Sequence, residues 1–214
     1  EAMDEERTVV LKGKLNKKLE EVPGLIGMGR LSVLKGYLDY EGYGKDGANI
    51  EVVTASRDGK DVAEELKFTT PSGYSSSYRF MVSSLIEEQL KTIKFKGVEW
   101  DITVQPTAQN LKDLAYFNSI MGGFEPTFVA KTDGDTLKFY IGDGANDRTE
   151  MPFASNVQGK LTKGWAWPLA QVLGILKLSD TSQASMSFSD QGAMQIAIDS
   201  GIGKYEYILP ARSQ

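Results

Sequence analysis

The feature that most constrains this chain is a repeat in its second half. Leu111 and Leu169, Phe128 and Met186, and Gly134 and Gly192 are each 58 positions apart. Between them the apolar positions of one predicted helix, Leu114, Phe117 and Ile120, map onto Val172, Ile175 and Leu178 of another. After the glycine the register slips by one, so that Leu137 corresponds to Met194. Residues from about 100 to 212 therefore read as one unit, strand–helix–hairpin–strand, used twice. The period is too long for a solenoid, and two copies point to one pseudo-symmetric domain.

The local patterns around the repeat are mostly those of strands. Period-two alternation bounded by glycine turns predicts strands at Arg7–Lys14, Leu31–Tyr40, Ile50–Thr54, Glu65–Thr70 and Val98–Val104. Pro23 and Gly24 interrupt any helix over Leu15–Met28, and Ser72–Ser77 reads as a loop. A helix is expected over Ser83–Lys91, capped by Ser83 or Ser84. Pro106-Thr107 opens a second, over Asn110–Met121, and Pro168 opens a third, over Leu169–Leu178, where a missing N–H does no harm. Thr127–Lys131 and Thr136–Ile141 form a hairpin. Met151–Val157 and Lys160–Trp165 are expected as strands, and Ser185–Ser189, Met194–Asp199 and Lys204–Leu209 as a closing meander.

Composition removes many kinds of chemistry. The 214 residues contain neither cysteine nor histidine. Disulfide frameworks, thiolate nucleophiles, zinc–thiolate sites, Ser-His-Asp triads and imidazole bases are all excluded, which turns the expectation towards a binding or structural protein without a cofactor. No apolar run reaches the roughly 18 residues of a membrane span. The acidic opening, Glu1 to Glu6, is the reverse of a signal peptide, so the expected setting is cytoplasmic. With 24 Lys and Arg against 29 Asp and Glu, the net charge is −5. A simple nucleic-acid binder would be basic, although a chain with lysines gathered on one face need not be.

Several stretches carry a resemblance. Gly159-Lys-Leu-Thr-Lys-Gly-Trp-Ala-Trp-Pro-Leu-Ala-Gln-Val-Leu173 resembles the strand and last inner helix of the DNA sliding clamps, the PCNA and tailed-phage family of processivity factors. Ser185-Met-Ser-Phe-Ser-Asp-Gln-Gly-Ala-Met-Gln-Ile-Ala-Ile198 is similar to the two strands that follow it there, and Tyr205-Glu-Tyr-Ile-Leu-Pro-Ala211 to the closing strand. Leu111-Lys-Asp-Leu114, with Phe128 and the Asp133-Gly134 turn, resembles the companion unit. In the first 100 residues the match is loose: the helix at Ser83–Lys91 is clear, while its partner, sought between Leu15 and Leu25, is not.

The resemblance implies an α+β DNA-clamp fold: two β-sheet domains, 1–100 and 101–214, with short helices on the inner face of a homotrimeric ring closed by paired edge strands. It implies a non-enzymatic protein in a bacterium or phage-infected host, with duplex DNA, a DNA polymerase, a clamp loader and further copies of itself as partners. Phosphate contacts would fall to Lys91, Lys94, Lys96, Lys112, Lys160, Lys163 and Lys177. The bland alternative for each is a lysine that complements a helix C-terminus and keeps the surface soluble. A partner-peptide pocket would involve Tyr207, Ile208, Leu209, Pro210 and Ala211, which otherwise form an ordinary last strand filling the core. Trp165 and Trp167 read as core or interface residues.

Other motifs carry little. Gly142-Asp-Gly-Ala-Asn-Asp147 suggests a calcium loop, but Ala145 stands where an oxygen ligand is needed. Gly24–Gly29 has no phosphate-binding spacing. Glu64-Glu65 and Glu87-Glu88 are adjacent, which on a helix points them apart, and no carboxylate pair is singled out for hydrolase chemistry. A β-rich viral structural or assembly protein, oligomerising through strand edges, is the alternative reading.

Overall fold

The computed structural model describes residues 1–212 other than 5, 7, 58, 91–96 and 144. Along the chain come strands β1 (Ala2–Met3) and β2 (Val10–Leu15), helix α1 (Leu31–Asp39) with a 3-10 turn at Glu41–Gly44, and strands β3 (Asn49–Arg57), β4 (Lys60–Thr69) and β5 (Ser75–Arg79). Helix α2 (Ser83–Leu90) precedes β6 (Ile102–Val104), α3 (Ala108–Met121), β7 (Thr127–Asp133), β8 (Thr136–Ile141) and β9 (Thr149–Ala154). The last elements are β10 (Ala166–Pro168), α4 (Leu169–Leu176), β11 (Ala184–Ser189), β12 (Ala193–Asp199) and β13 (Gly203–Pro210). They form two compact units, Glu1–Lys17 with Phe95–Gln214, and Lys18–Lys94. A division near residue 100 thus misses one exchange. Strand β2 hydrogen-bonds along β13, from Val10 opposite Ile208 to Leu15 opposite Gly203.

In the larger unit the repeat is real and its halves interlock. Each half runs strand, helix and three strands, and each lends its first strand to the other. Strand β6 pairs with β11, Met186 opposite Val104, while β10 pairs with β7, Phe128 opposite Trp167. The results are a six-stranded sheet, β1-β2-β13-β12-β11-β6, and a four-stranded sheet, β10-β7-β8-β9. The repeat positions serve the same ends in both halves. Phe128, Met186, Leu137 and Met194 are fully buried, and Gly134 and Gly192 turn their hairpins with positive φ. Aromatic rings join the sheets: Phe139 stacks on Phe153 at 4.2 Å, and Phe188 meets Trp167 at 5.7 Å and Phe139 at 5.8 Å. Each large ring removes roughly 150–250 Å² of surface from water, so this cluster is a major part of the core.

Local chemistry sets the helix starts. The Thr107 hydroxyl accepts the Asn110 amide at 3.0 Å while the Asn110 side chain accepts the Thr107 amide at 2.9 Å, a reciprocal cap for α3. Pro168 is the N-cap of α4 and the last residue of β10, one position earlier than expected. The third apolar position of each helix departs from the sequence pattern in the same way. Ile120 and Leu178 are 51% and 62% exposed, whereas Leu114 and Val172 are fully buried. Lys160–Trp165, expected as a strand, forms none; its backbone bonds to side chains instead, as described below.

The smaller unit has one sheet, β3-β4-β5, and a core of Leu34, Phe68 and Tyr78 with Tyr37, Tyr43, Leu66 and Phe80 against it. Here the sequence reading needs correction. Leu31–Tyr40 is not a strand but contains α1, because Leu34 and Tyr37, three apart, share the face that meets Phe68. Leu31, Val33 and Tyr37 alternate as well, and that misled the period. The helix sought between Leu15 and Leu25 is absent there, and Ser75–Ser77, read as part of a loop, belong to β5, which pairs with β4. In the stretch from Gly142 to Asp147, Asp143 Oδ1 accepts the amides of Ala145 at 2.8 Å and Asn146 at 3.1 Å.

Leu114→Ala should lower the unfolding free energy by roughly 2–5 kcal/mol, since it opens a cavity in a closed core. Leu38→Ala on α1, 59% exposed, should stay within about 0.5 kcal/mol of wild type. Urea titrations of both variants check this; a large loss at Leu38 would contradict α1.

Candidate nucleic-acid interface

Helices α3 and α4 pack side by side. The Leu169 amide, opening α4, donates to the carbonyl of Pro126, just past the end of α3, at 2.9 Å. The helices are therefore antiparallel, and the end of α4 lies beside the start of α3. Their inward faces are closed by Leu114 and Met121 from α3 and by Leu169, Val172, Leu173, Ile175 and Leu176 from α4. On α3, Gln109, Lys112, Tyr116 and Ile120 remain exposed, spaced to share one face. On α4 the exposed positions are Ala170 and Gly174, with Lys177 as C-cap.

This arrangement brings Lys112 and Lys177 to the same end of the helix pair. Neither makes an ion pair among the described residues, so both charges stay available to an outside anion. Lys138 is the contrast. It bridges Asp133 and Glu150, at 2.6 Å each, and these bonds, Asp133 first, raise its pKa and occupy its charge. Lys91, Lys94 and Lys96 lie outside the described residues.

Lys160 and Lys163 are exposed but sit on a loop, not a helix. The loop is moored by Asp190 in the β11–β12 turn. Its carboxylate accepts the Thr162 hydroxyl at 2.7 Å, the Thr162 amide at 3.0 Å and the Lys163 amide at 3.2 Å. Asp190's own amide donates to Asp101 at 2.7 Å, and its carbonyl accepts Trp165 Nε1 at 2.8 Å. Burial raises the Asp190 pKa, but the bonds from Thr162 and Lys163 and the Lys163 charge outweigh it and leave the carboxyl below its ordinary value. The two loop lysines are thus held beside the Thr132 end of β7.

The closing strand is divided in its exposure. Ile208 and Leu209 are buried, and the Leu209 carbonyl accepts Trp167 Nε1 at 3.2 Å. Tyr207 and Ala211 are half-buried against the core, and Pro210 is exposed. Burial, reinforced by Tyr205, pushes the Tyr207 phenol upward, so it stays a neutral hydroxyl at physiological pH. A groove of about 410 Å³ opens at the other end of β13, between Gln105, Ala184, Ser185, Ala197, Tyr205 and Glu206. Sequence reasoning missed it because its walls come from four separated segments.

No family model matches the sequence, and a search of curated proteins finds no match. Solved structures do match. The chain aligns over 100% of its length with 85% of a chain in the PCNA2–PCNA3 complex from Sulfolobus tokodaii, at a TM-score of 0.64 and 10% identity. PCNA from Thermococcus kodakaraensis aligns with 99% of this chain and 85% of its own, at a TM-score of 0.65 and 14% identity. A chain in the structure of the C-terminal region of FEN-1 bound to A. fulgidus PCNA aligns with 75% of this chain and 63% of its own, at a TM-score of 0.51 and 12% identity. At such identities the shared property is the fold. The chain has the DNA-clamp fold of PCNA, α+β, with helices backed by antiparallel sheets. No described helix is long and apolar enough to cross a membrane.

Because the folded-state pKa of Asp190 is depressed, its carboxylate stabilises the fold above the ordinary value of 3.8 and loses that effect as pH falls towards the folded value. Asp190→Asn should be less stable than wild type at pH 6, and the gap should narrow at pH 3, about a unit below the ordinary carboxylate value. Urea midpoints at the two pH values measure this, and a gap unchanged with pH would remove the carboxylate's role.

Proposed function

We propose that this protein is a DNA sliding clamp: a processivity factor that closes around duplex DNA as a homotrimeric ring and tethers a DNA polymerase. The observation that carries the reading is the antiparallel α3–α4 pair, built by a duplicated unit and presenting the unpaired Lys112 and Lys177 at one end. Whole-chain likeness to PCNA structures supports it. Two clamp domains per chain, divided near residue 100 apart from β2, give six around the ring. The helix pairs face the DNA, where Lys112 and Lys177 hold phosphate without reading bases, and Lys91, Lys94, Lys96, Lys160 and Lys163 add to the positive lining. The protein acts by enclosure rather than catalysis, uses no cofactor and needs a clamp loader to open it.

Self-association fits strand β9, an edge of its sheet with no partner among the described strands on its outer side. One matched structure is itself a complex of two PCNA chains. Another is a PCNA bound to the C-terminal region of a partner protein. In this chain such a peptide would meet Tyr207, Pro210 and Ala211, with Ile208 and Leu209 supporting them from beneath. The acidic net charge of −5 belongs, on this reading, to the outer surface.

Extension by the cognate polymerase on a long singly primed template should give longer products when this chain and its loader are present. Lys112→Glu with Lys177→Glu should shorten them again. The slope of log affinity for closed circular duplex against log salt should fall by roughly 0.9 for each phosphate no longer neutralised. Sedimentation should show a three-chain species. A strict monomer at micromolar concentration, with product length unaffected, would defeat the proposal.

A further inference from the structure

The smaller unit holds a cavity of about 470 Å³ with an unusual lining. Its walls carry four tyrosines: Tyr37 from α1, Tyr40 and Tyr43 around the 3-10 turn, and Tyr74 at the start of β5. Tyr40 and Tyr43 meet edge to face at 5.1 Å, and Tyr37 and Tyr43 do so at 6.4 Å. The Tyr43 hydroxyl donates to Ser76 Oγ at 2.6 Å. No described residue hydrogen-bonds the hydroxyls of Tyr37, Tyr40 or Tyr74, and the last two rings are 49% and 66% exposed. The volume falls within the roughly 300–1,000 Å³ of small-ligand sites.

Two glycines shape this space. A Cβ on Gly36, in the middle of α1, would touch nothing within 4 Å. Alanine would fit there and would favour the helix by about 1 kcal/mol, so packing does not call for the glycine. Its effect is to leave the cavity wall open. At Gly42 a Cβ would come within 2.4 Å of the Tyr40 ring. The ring lies across bare backbone, and any side chain at that position displaces it.

Charge narrows the choice of ligand. No lysine or arginine lines the cavity, and the exposed carboxylates Asp39 and Glu41 bracket Tyr40 in the chain. Lys35 is taken up by Asp39, while Glu41 has no ion-pair partner among the described residues. A polyanion such as single-stranded nucleic acid would gain stacking on the rings but would meet negative charge. Tyrosine, serine and glycine together are instead the composition of surfaces that grip protein segments: rigid amphipathic rings with small, adaptable neighbours. Phenol hydroxyls beside ring faces suit a polyproline II helix, whose rings pack on aromatics and whose carbonyls lack internal donors.

We propose that the Tyr37–Tyr40–Tyr43–Tyr74 cavity docks a proline-rich, arginine-bearing segment of a partner protein, with the prolines on the rings and an arginine beside Glu41. The residues of the site all belong to the smaller unit.

Fluorescence anisotropy on the full chain tests this with a short labelled peptide of prolines carrying an arginine at each end. The same peptide with glutamates replacing the arginines and an oligothymidylate serve as comparisons. The arginine peptide should bind, the glutamate peptide at least about tenfold more weakly, and the oligothymidylate should not compete. Tyr40→Ala should weaken binding by about tenfold or more, Gly36→Leu should abolish it by filling the cavity, and Gly42→Ala should weaken it by moving the Tyr40 ring. Thermal melts confirm that each variant folds; should Gly36→Leu fail, Tyr40→Ala decides alone, since that ring is half exposed. The proposal is overturned if the arginine peptide does not bind, if the two peptides bind alike, if oligothymidylate displaces the peptide, or if folded Tyr40→Ala binds as wild type does.

Discussion

The structure depends on a reciprocal exchange of strands. In the larger unit neither half of the repeat completes its own sheet: β6 is held by β11 and β10 by β7. Each donated strand also carries a core residue, Val104 or Trp167, into the half that receives it. Backbone pairing and apolar burial therefore cannot be satisfied one half at a time. This coupling places α3 and α4 side by side, because each helix directly follows a donated strand and returns to its own half. The antiparallel pair, and with it the placement of Lys112 and Lys177, is a product of the exchange.

How much of this was legible follows from where each signal resides. The repeat could be read because buried positions such as Phe128, Met186, Leu137 and Met194 recur at nearly fixed spacing, and turn glycines punctuate them. Helix α3 could be read from Thr107 and Asn110, whose cap is local. Helix α1 could not, since Leu31, Val33 and Tyr37 alternate like a strand while Leu34 and Tyr37 obey the helical period, and only the position of Phe68 decides between them. The pairing of β2 with β13 was invisible, because nothing in Val10–Leu15 names a partner almost the whole chain away. At the candidate site, the sequence distinguished lysines from their surroundings but not strand from loop. It grouped Lys160 and Lys163 with Lys177, whereas Asp190 holds the first two on a loop beside Thr132 of β7. The tyrosine cavity left no motif, since its residues are spread over α1, a 3-10 turn and β5.

The electrostatics of the helix pair are sparse. One end carries two cations, and along α3 the exposed row continues as Tyr116 and Ile120. On the clamp reading proposed above, a surface with so few fixed charges would hold a polyanion loosely enough to move along it. Grip would then come from the proposed closed path around the ligand more than from contact energy.

The union of β2 with β13 has a consequence for how the chain folds. Val10 lies opposite Ile208, so the ladder closes a loop of nearly the whole polypeptide. The length-dependent entropy of such a closure is about 5 kcal/mol if the intervening chain is disordered, and far less once that chain is compact. Closing this ladder is therefore least costly once the intervening chain is compact. Strand β2 lies far upstream of β13 in the sequence, so its β13-facing side stays unpaired until β13 has been made. That β2–β13 seam is an open ladder edge in any chain where β13 is still missing, and such an edge can pair with the wrong strand.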